Sequence, residues 1–96
     1  MHALDALGSP VRRDILRQLQ SAPLTVGELA ARFPVSRPAI SRHLHVLREA
    51  GLVELRPQRG RSVYAVRMQG FASVRAFLDE FWDDSLLALK REVERG

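Results

Sequence analysis

The sequence of 96 residues predicts one α+β domain that is mainly helical and carries a two-stranded antiparallel hairpin. Two features predict this class. Apolar residues at helical spacing, punctuated by capping residues and prolines, fill positions 9–50, and a longer helical pattern fills positions 71–94. Between these segments, positions 52–68 alternate apolar and polar residues on either side of a turn at 57–60, which is typical of a hairpin.

Two helices are expected at the start of the chain. Ser9 followed by Pro10 predicts an N-cap and a first helical residue, for a helix that runs to about Gln20. The apolar residues of its buried stripe are Val11, Ile15, Leu16 and Leu19. A shorter amphipathic helix is marked ahead of it by Met1, Leu4 and Leu7.

A helix-turn-helix pattern follows. The segment Thr25–Glu28 has the spacing of a capping box that opens a helix, and Pro34 ends that helix because the residue before a proline is pushed out of the α region. Ser36 then caps a helix over about 36–50, and Gly51 supplies its left-handed C-terminal cap. The inner stripe of this helix consists of Ile40, Leu44 and Leu47.

The outer face of helix 36–50 carries the main candidate functional residues. Small side chains at its entry let the helix approach base edges, arginines suit guanine or phosphate, and the positive end of the helix dipole favours a phosphate. Such a face suits the major groove of DNA. The candidates are Ser36, Arg37, Pro38, Ala39, Ser41, Arg42 and His45. A merely solvated face is the alternative for any single arginine, and His43 is expected to point partly inward.

The hairpin at about 52–68 is the second candidate contact with DNA. Val53 and Leu55 alternate with polar neighbours on its first strand, as Tyr64, Val66 and Met68 do on its second. Arginines near its tip are expected to reach phosphates or the adjacent minor groove. They are Arg56, Arg59 and Arg61. The alternative is a turn that is charged only for solubility. A helix-turn-helix followed by such a hairpin is a winged helix-turn-helix.

The charge distribution agrees with a DNA-binding surface in helix 36–50 and the hairpin. The formal net charge is +4, and the basic excess lies in residues 1–67, whereas residues 68–96 have more acidic than basic groups. Arginine makes up all but one of the basic residues, the exception being Lys90. Arginine suits bidentate recognition of phosphate or guanine, although the codon usage of a genome accounts for the preference equally well.

The run from Ser36 to Val53, followed by Gly60 and Tyr64, resembles the signature of the ArsR/SmtB family of bacterial winged-helix repressors. The resemblance covers nearly the whole chain. It implies a homodimer that binds a palindromic operator and releases it upon an inducing signal. It also implies that the candidates of helix 36–50 face DNA.

Metal and catalytic sites are not expected. The chain has no cysteine, which excludes disulfides, thiolate metal sites and thiol redox sensing. The metal-binding thiolate box of the resembling family falls on 28–32, where none of the residues is a cysteine, and helix 71–94 has no histidine. No glycine-rich phosphate loop or nucleophile–base pattern is present. We therefore expect neither a cofactor nor an enzyme activity.

The last helix, over about 71–94, is expected to form a dimer interface. Its apolar band is too wide for one small domain to cover, and soluble monomers avoid large exposed apolar patches. Pairing around a two-fold axis would cover the band and set two recognition helices about one DNA turn (~34 Å) apart. The predicted interface consists of Leu4, Leu7, Phe71, Val74, Phe77, Leu78, Phe81, Trp82, Leu86 and Leu89.

These features predict a cytoplasmic, homodimeric repressor that binds an inverted-repeat operator and blocks a promoter. No apolar run approaches the ~20 residues of a membrane-spanning helix, and the N-terminus lacks a signal-peptide pattern. A nonspecific architectural nucleic-acid binder and a protein-interaction module are the alternatives. The residues identify neither an operator nor a small-molecule inducer.

Overall fold

The structure is a computed structural model that describes residues 3–95, with the side chains at 83–87 and 95 outside the description. Met1 and the side chain of Leu86 therefore lie outside the described residues. The elements in chain order are α1 (Ala3–Ala6), α2 (Pro10–Ser21), α3 (Val26–Ala30), α4 (Arg37–Glu49), β1 (Val53–Gln58), β2 (Arg61–Val66), a 3₁₀ turn (Met68–Phe71) and α5 (Ala72–Arg95). This order confirms the predicted, mainly helical α+β class with an antiparallel two-stranded wing.

Helix α2 begins where the sequence predicts, but the short helix before it buries a different face. The backbone N–H of Arg12 donates to Ser9 Oγ at 3.3 Å, so Ser9 is the N-cap of α2. In α1 the buried residues are Ala3 and Ala6, whereas Leu4 is exposed. Because alanine is small, α1 can lie close to the rest of the domain. The spacing of the larger apolar residues in this segment does not predict that the alanines are the buried ones.

Arginines from the start of α2 hold the C-terminal end of α1. Arg12 Nε donates to the carbonyl oxygen of Ala6 at 2.6 Å, and Arg13 Nη1 donates to that of Leu7 at 2.8 Å. The last carbonyl groups of a helix lack intrahelical partners, and cationic donors satisfy them well. These two arginines therefore connect α1 to α2.

The first helix of the helix-turn-helix is shorter than predicted. The capping box is present, since Glu28 N donates to Thr25 Oγ1 at 3.1 Å and Thr25 N donates to Glu28 Oε1 at 2.9 Å. However, α3 ends at Ala30 and a turn follows, so the prediction that it extends to Pro34 is wrong. Phe33 still packs against the core from this turn. Burial of Phe33 therefore does not require a helical backbone there.

Helix α4 follows its predicted pattern closely. Ser36 Oγ accepts from Ala39 N at 3.3 Å. The inner stripe of Ile40, Leu44 and Leu47 is 0% exposed. Full burial of three such side chains stabilises the fold by several kcal/mol, at ~1.5–3 kcal/mol each. These residues form the centre of the core with Ile15, Leu16, Leu19, Leu24, Leu29, Leu52 and Val53.

The wing has a tighter turn than predicted. Strands β1 and β2 pair antiparallel from Val53 with Val66 to Gln58 with Arg61. The turn therefore consists of Arg59 and Gly60 alone, with φ values of 51° and 76°. Positive φ at both central residues is the type I′ geometry, whose twist matches that of the strands. The four-residue turn at 57–60 is thus corrected to two residues.

Strand β2 has backbone partners on both of its edges, and its buried side chains lie on the face that carries Val63 and Ala65. The predicted face is confirmed, since Leu55 lies opposite Tyr64 and Val53 opposite Val66. On its other edge, Tyr64 exchanges two backbone hydrogen bonds with Leu24, of 2.7 and 3.1 Å. On the buried face Val63 is 0% exposed and Ala65 4% exposed, whereas Met68, which the sequence pattern assigns to the second strand, lies in the 3₁₀ turn and is 71% exposed.

Helix α5 extends away from the domain, which gives the molecule extents of 60 × 26 × 24 Å. Its 24 residues correspond to a length of ~36 Å. Near its start, Phe71 and Val74 pack on the core of the same chain. Val74 is only 7% exposed, so it packs within its own chain and has little surface left for the predicted dimer interface. None of the described helices is both long and apolar enough to span a membrane.

Candidate nucleic-acid interface

The outer face of α4 presents a continuous polar surface to solvent. Because the inner stripe is buried, the residues on the opposite side of the helix point outward, while His43 and Val46 beside the stripe are half-buried. Among the sequence-predicted residues, Ser36, Arg37, Pro38, Ser41, Arg42 and His45 are exposed, and Ala39 is half-buried. The structure thus brings the seven α4 candidates together on the first three turns of one helix.

The N-terminal end of α4 is open to solvent. Ser36 satisfies the backbone N–H of Ala39 through its side chain and that of Ile40 through its carbonyl oxygen. Pro38 has no N–H. An exposed helix N-terminus carries a partial positive charge that suits a phosphate group. The small Ala39 beside it leaves room for a backbone or base edge.

Two arginines, Arg37 and Arg42, lie on this face of α4. No ion pair forms at Arg37 or Arg42 in the described part of the chain. The guanidinium of Arg37 lies beside Gly27 of α3, since a Cβ atom built on that glycine would lie 3.7 Å from Nη1. Arg37 thus spans the gap between the two helices of the helix-turn-helix, with its charge uncompensated.

His43 is half-buried, which confirms that it points partly inward. Burial lowers the pKa of its imidazole below the ordinary histidine value, and the positive charges of Arg12 and Arg42 lower it further. A lowered pKa means that His43 is neutral at neutral pH. It therefore adds no charge to the outer face of α4.

The wing arginines differ in their surroundings. Arg59 lies at the tip with a positive φ of 51°, a conformation that L residues other than asparagine, aspartate and glycine seldom adopt. Arg56 lies 3.8 Å from Glu54, its neighbour along β1. Arg61 follows the turn directly, as the first residue of β2, and lies 3.4 Å from Glu28 of α3. Arg59 is thus the wing arginine with no acidic partner among the described residues.

Sequence reasoning missed the role of Glu28 in this surface. It predicted the capping box, but the carboxylate also faces the wing. Hydrogen bonds with Thr25, first with its backbone N–H, and the charge of Arg61 hold the pKa of Glu28 below its ordinary value. Glu28 is thus ionised at neutral pH and links α3 to β2. No local signal in the sequence could have paired residues this far apart.

Comparison with known proteins agrees with this geometry. Residues 7–56 match the family model described as a helix-turn-helix domain. The chain is 49% identical over 92 residues to the HTH-type transcriptional regulator Rv2034 of Mycobacterium tuberculosis, covering 96% of this chain and 86% of that protein.

Among solved structures, the chain is also similar to transcriptional regulators. A possible transcriptional regulator for arsenical resistance is 43% identical, with a TM-score of 0.77 and 96% of each chain covered. An ArsR-like transcriptional regulator from Rhodococcus sp. RHA1 is 33% identical, with a TM-score of 0.74, covering 92% of this chain and 86% of that one. The chain belongs to the ArsR family of winged helix-turn-helix transcriptional regulators. Its relatives are regulators and not enzymes.

This ArsR-family regulator exposes a row of large apolar side chains on α5. Trp82 is 61% exposed, although tryptophan is among the side chains that proteins bury most. The other exposed members of the row are Phe77, Phe81, Leu78, Leu89 and Val93. Leu7 and Phe71, at the edge of the row, are half-buried against the domain.

An apolar cleft of about 220 Å³ lies where α2, β2 and the 3₁₀ turn meet in this ArsR-family regulator. Its lining consists of Leu16, Arg17, Gln20, Val66, Met68 and Phe71. Histidine, aspartate and glutamate do not form a group of three with metal-site geometry anywhere among the described residues.

Proposed function

We propose that this regulator is a sequence-specific repressor that acts as a homodimer on an inverted-repeat operator. The proposal depends on the outer face of α4, where Arg37 begins the helix, Arg42 lies on its second turn, and neither has a carboxylate partner among the described residues. A binding surface for DNA needs donors that are free to pair with guanine or phosphate.

In this proposal α4 enters the major groove with its N-terminal end leading. Arg37 and Arg42 donate to guanine edges or to phosphates, while Ser41 and His45 make shorter polar contacts. Ser36 and the first-turn N–H groups bind a phosphate. Pro38 and Ala39 have small side chains, so the N-terminal end of α4 can come close to the bases.

The wing lies beside the groove that α4 occupies. Arg59 reaches furthest from the domain and contacts the minor groove or its phosphates, and Arg56 contacts the neighbouring backbone. A residue held in an unfavourable backbone conformation at an exposed tip is a reasonable candidate for function. Arg61 adds positive charge beside the turn while it stays paired with Glu28.

The homodimer forms through α5. The exposed apolar row would pair with the same row of a second copy around a two-fold axis, with contributions from Leu4, Leu7, Phe71 and Leu86. Val74 is left out because its own domain buries it. A two-fold dimer presents two copies of α4, which is why the operator is an inverted repeat.

Repression follows from the position of the dimer, because a dimer that covers promoter DNA in the cytoplasm excludes polymerase.

The decisive experiment is a quantitative gel shift on the DNA upstream of its own gene, with scrambled duplex as competitor, at physiological salt. Specific binding with a protected inverted repeat supports the proposal. Equal binding to both duplexes indicates an architectural protein. No binding to either indicates a protein-interaction module.

A matched pair of variants tests the role of α4. Each base contact contributes ~1–3 kcal/mol, so R37A/R42A should lose about 100-fold or more in operator affinity. Arg75→Ala is the control, because Arg75 is an exposed arginine on α5 whose partner is Asp79. The control should keep wild-type affinity. Retained operator binding by the double variant would refute the proposed role of α4.

A further inference from the structure

The C-terminal end of α4 is held against the segment that leads into α5. The chain leaves α4 through Gly51, whose φ is +77°. Gly51 N donates to the carbonyl oxygen of Arg48 and Leu52 N donates to that of Leu47, each at 3.0 Å. This double pattern is a Schellman cap, which fixes the direction in which the chain leaves a helix.

The segment after β2 returns to this cap and binds its backbone. Arg67 N donates to the carbonyl oxygen of Leu52 at 2.9 Å, and Arg67 Nη1 donates to that of Gly51 at 3.3 Å. Both bonds are directional, so they fix orientation as well as distance. The side chain of Arg67 thus points at the end of the recognition helix and not at the wing.

Gly70 makes the closest contact of this region. A Cβ atom built on Gly70 would lie 2.6 Å from the carbonyl carbon of Gly51 and 3.3 Å from Leu52 Cα, and would overlap the Gly51 oxygen. Backbone atoms cannot yield as a flexible side chain can. The 3₁₀ turn Met68–Phe71, and with it the start of α5, is therefore seated directly on the end of α4.

We propose that this joint, formed by Gly51, Arg67 and Gly70, determines which spacing between operator half-sites the dimer accepts. The inference rests on the proposed function. Since α5 carries the apolar row through which two copies pair, the angle between α4 and α5 sets where the two recognition helices lie. The joint is the place where hydrogen bonds and close backbone contact fix that angle.

A small rotation at the joint moves the DNA-facing end of α4 by a distance comparable to one base pair. Helix α4 has 13 residues and is thus ~20 Å long. A rotation of about 10° at the joint moves the far, DNA-facing end of α4 by about 3.4 Å, which is the rise of one base pair. Helix α1 contacts both α4 and α5, but it buries mainly Ala3 and Ala6. The packing of Phe71 and Val74 on the core also holds the start of α5, and the joint adds directional hydrogen bonds and a close backbone contact to it.

The test measures affinity against half-site spacing. An operator selected from a random duplex pool is remade with zero, one or two base pairs added to or removed from its centre. Wild type should prefer one spacing and lose at least tenfold when the spacing changes by one base pair. Arg67→Met removes the bond to Gly51 and should reduce that preference to less than about threefold. Dimer formation and affinity for a single half-site should not change.

Three further variants make the result interpretable. Arg67→Lys keeps the positive charge and a donor, and should restore much of the preference if the joint, not a contact with phosphate, is responsible. Gly70→Ala forces the joint apart and should shift the preferred spacing by at least one base pair. Gln69→Ala, an exposed change in the same turn, is the control and should behave as wild type.

The outcomes separate this inference from the proposed function. A wild-type spacing profile in Arg67→Met, with the fold verified by circular dichroism, would overturn the inference. So would a wild-type protein that binds its operator specifically at every spacing, although it would leave specific DNA binding intact. Failure of the wild type to prefer any selected operator over scrambled duplex would overturn both.

Discussion

The guanidinium of Arg61 lies 3.4 Å from the carboxylate of Glu28, and this contact joins the turn end of the wing to the first turn of α3. Glu28 already accepts the backbone N–H of Thr25 in the capping box. One carboxylate thus fixes both the start of the helix-turn-helix and the position of the hairpin. Since α4 and the wing are the proposed contacts with DNA, Glu28 helps to align them.

The ionised form of Glu28 should stabilise the fold in a pH-dependent way. Its pKa is lower in the folded protein, so the folded state favours the charged carboxylate. This stabilisation is present above pH 4.5, the ordinary value for glutamate, and is lost as the pH falls through the lowered pKa. Glu28→Gln should therefore melt below wild type at pH 7 and approach it in acid. A melting-temperature difference between the two that does not change from pH 7 to pH 3 would contradict this assignment.

The confirmed parts of the sequence prediction depend on local signals. The N-caps at Ser9 and Ser36, the capping box and the left-handed Gly51 each involve residues within one helical turn. The stripe of α4 follows from its period alone. Such features are specified by short stretches of sequence, so they can be read without knowledge of the tertiary structure.

The missed parts depend on residues that are distant in sequence. Nothing local pairs Glu28 with Arg61, Leu24 with Tyr64, or Gly70 with Gly51. Helical spacing also puts Val74 in the same apolar row as Phe77. Only the fold shows that Val74 packs on the core, whereas Phe77 is exposed. The placement of the proposed DNA-contacting residues on one face was predictable, whereas their support from neighbouring elements was not.

The N-cap of α4 can be used to separate stability from DNA binding. Aspartate caps helices as well as serine does, so Ser36→Asp should leave the free energy of unfolding within about 0.5 kcal/mol of wild type. It also places a negative charge at the helix end where a phosphate is proposed to bind. Operator affinity, measured by fluorescence anisotropy, should fall at least tenfold.

Ser9→Asp is the matched control for Ser36→Asp. Ser9 caps α2 by the same side-chain bond to the third residue beyond it. The substitution makes the same change in net charge at an N-cap outside the proposed interface, and should alter operator affinity less than threefold. Similar losses in both variants would show that net charge is responsible and not the position of the α4 terminus.

Arg59→Asn should change stability and DNA binding in opposite directions. Asparagine tolerates positive φ at a type I′ turn better than arginine does. The variant should therefore gain about 0.5–1 kcal/mol in the free energy of unfolding, measured with urea. It should lose operator affinity, and the slope of log affinity against log salt should decrease by ~0.9 if one phosphate contact is lost. Unchanged affinity and slope would exclude Arg59 from the interface.

Trp82→Glu should separate the subunits without unfolding them. Trp82 is 61% exposed in the single chain, so its replacement removes little packing within the domain. A glutamate on the apolar row would be buried without a partner in the dimer, which is costly. Sedimentation equilibrium should show a monomer at concentrations where wild type is a dimer. Binding to a single half-site should persist, while affinity for the full inverted repeat should fall at least tenfold because the second contact is no longer tethered.

Glu80→Gln, an exposed change on the same helix as Trp82, is the control and should leave the dimer intact. A Trp82→Glu protein that sediments as a dimer would show that the subunits pair through another surface.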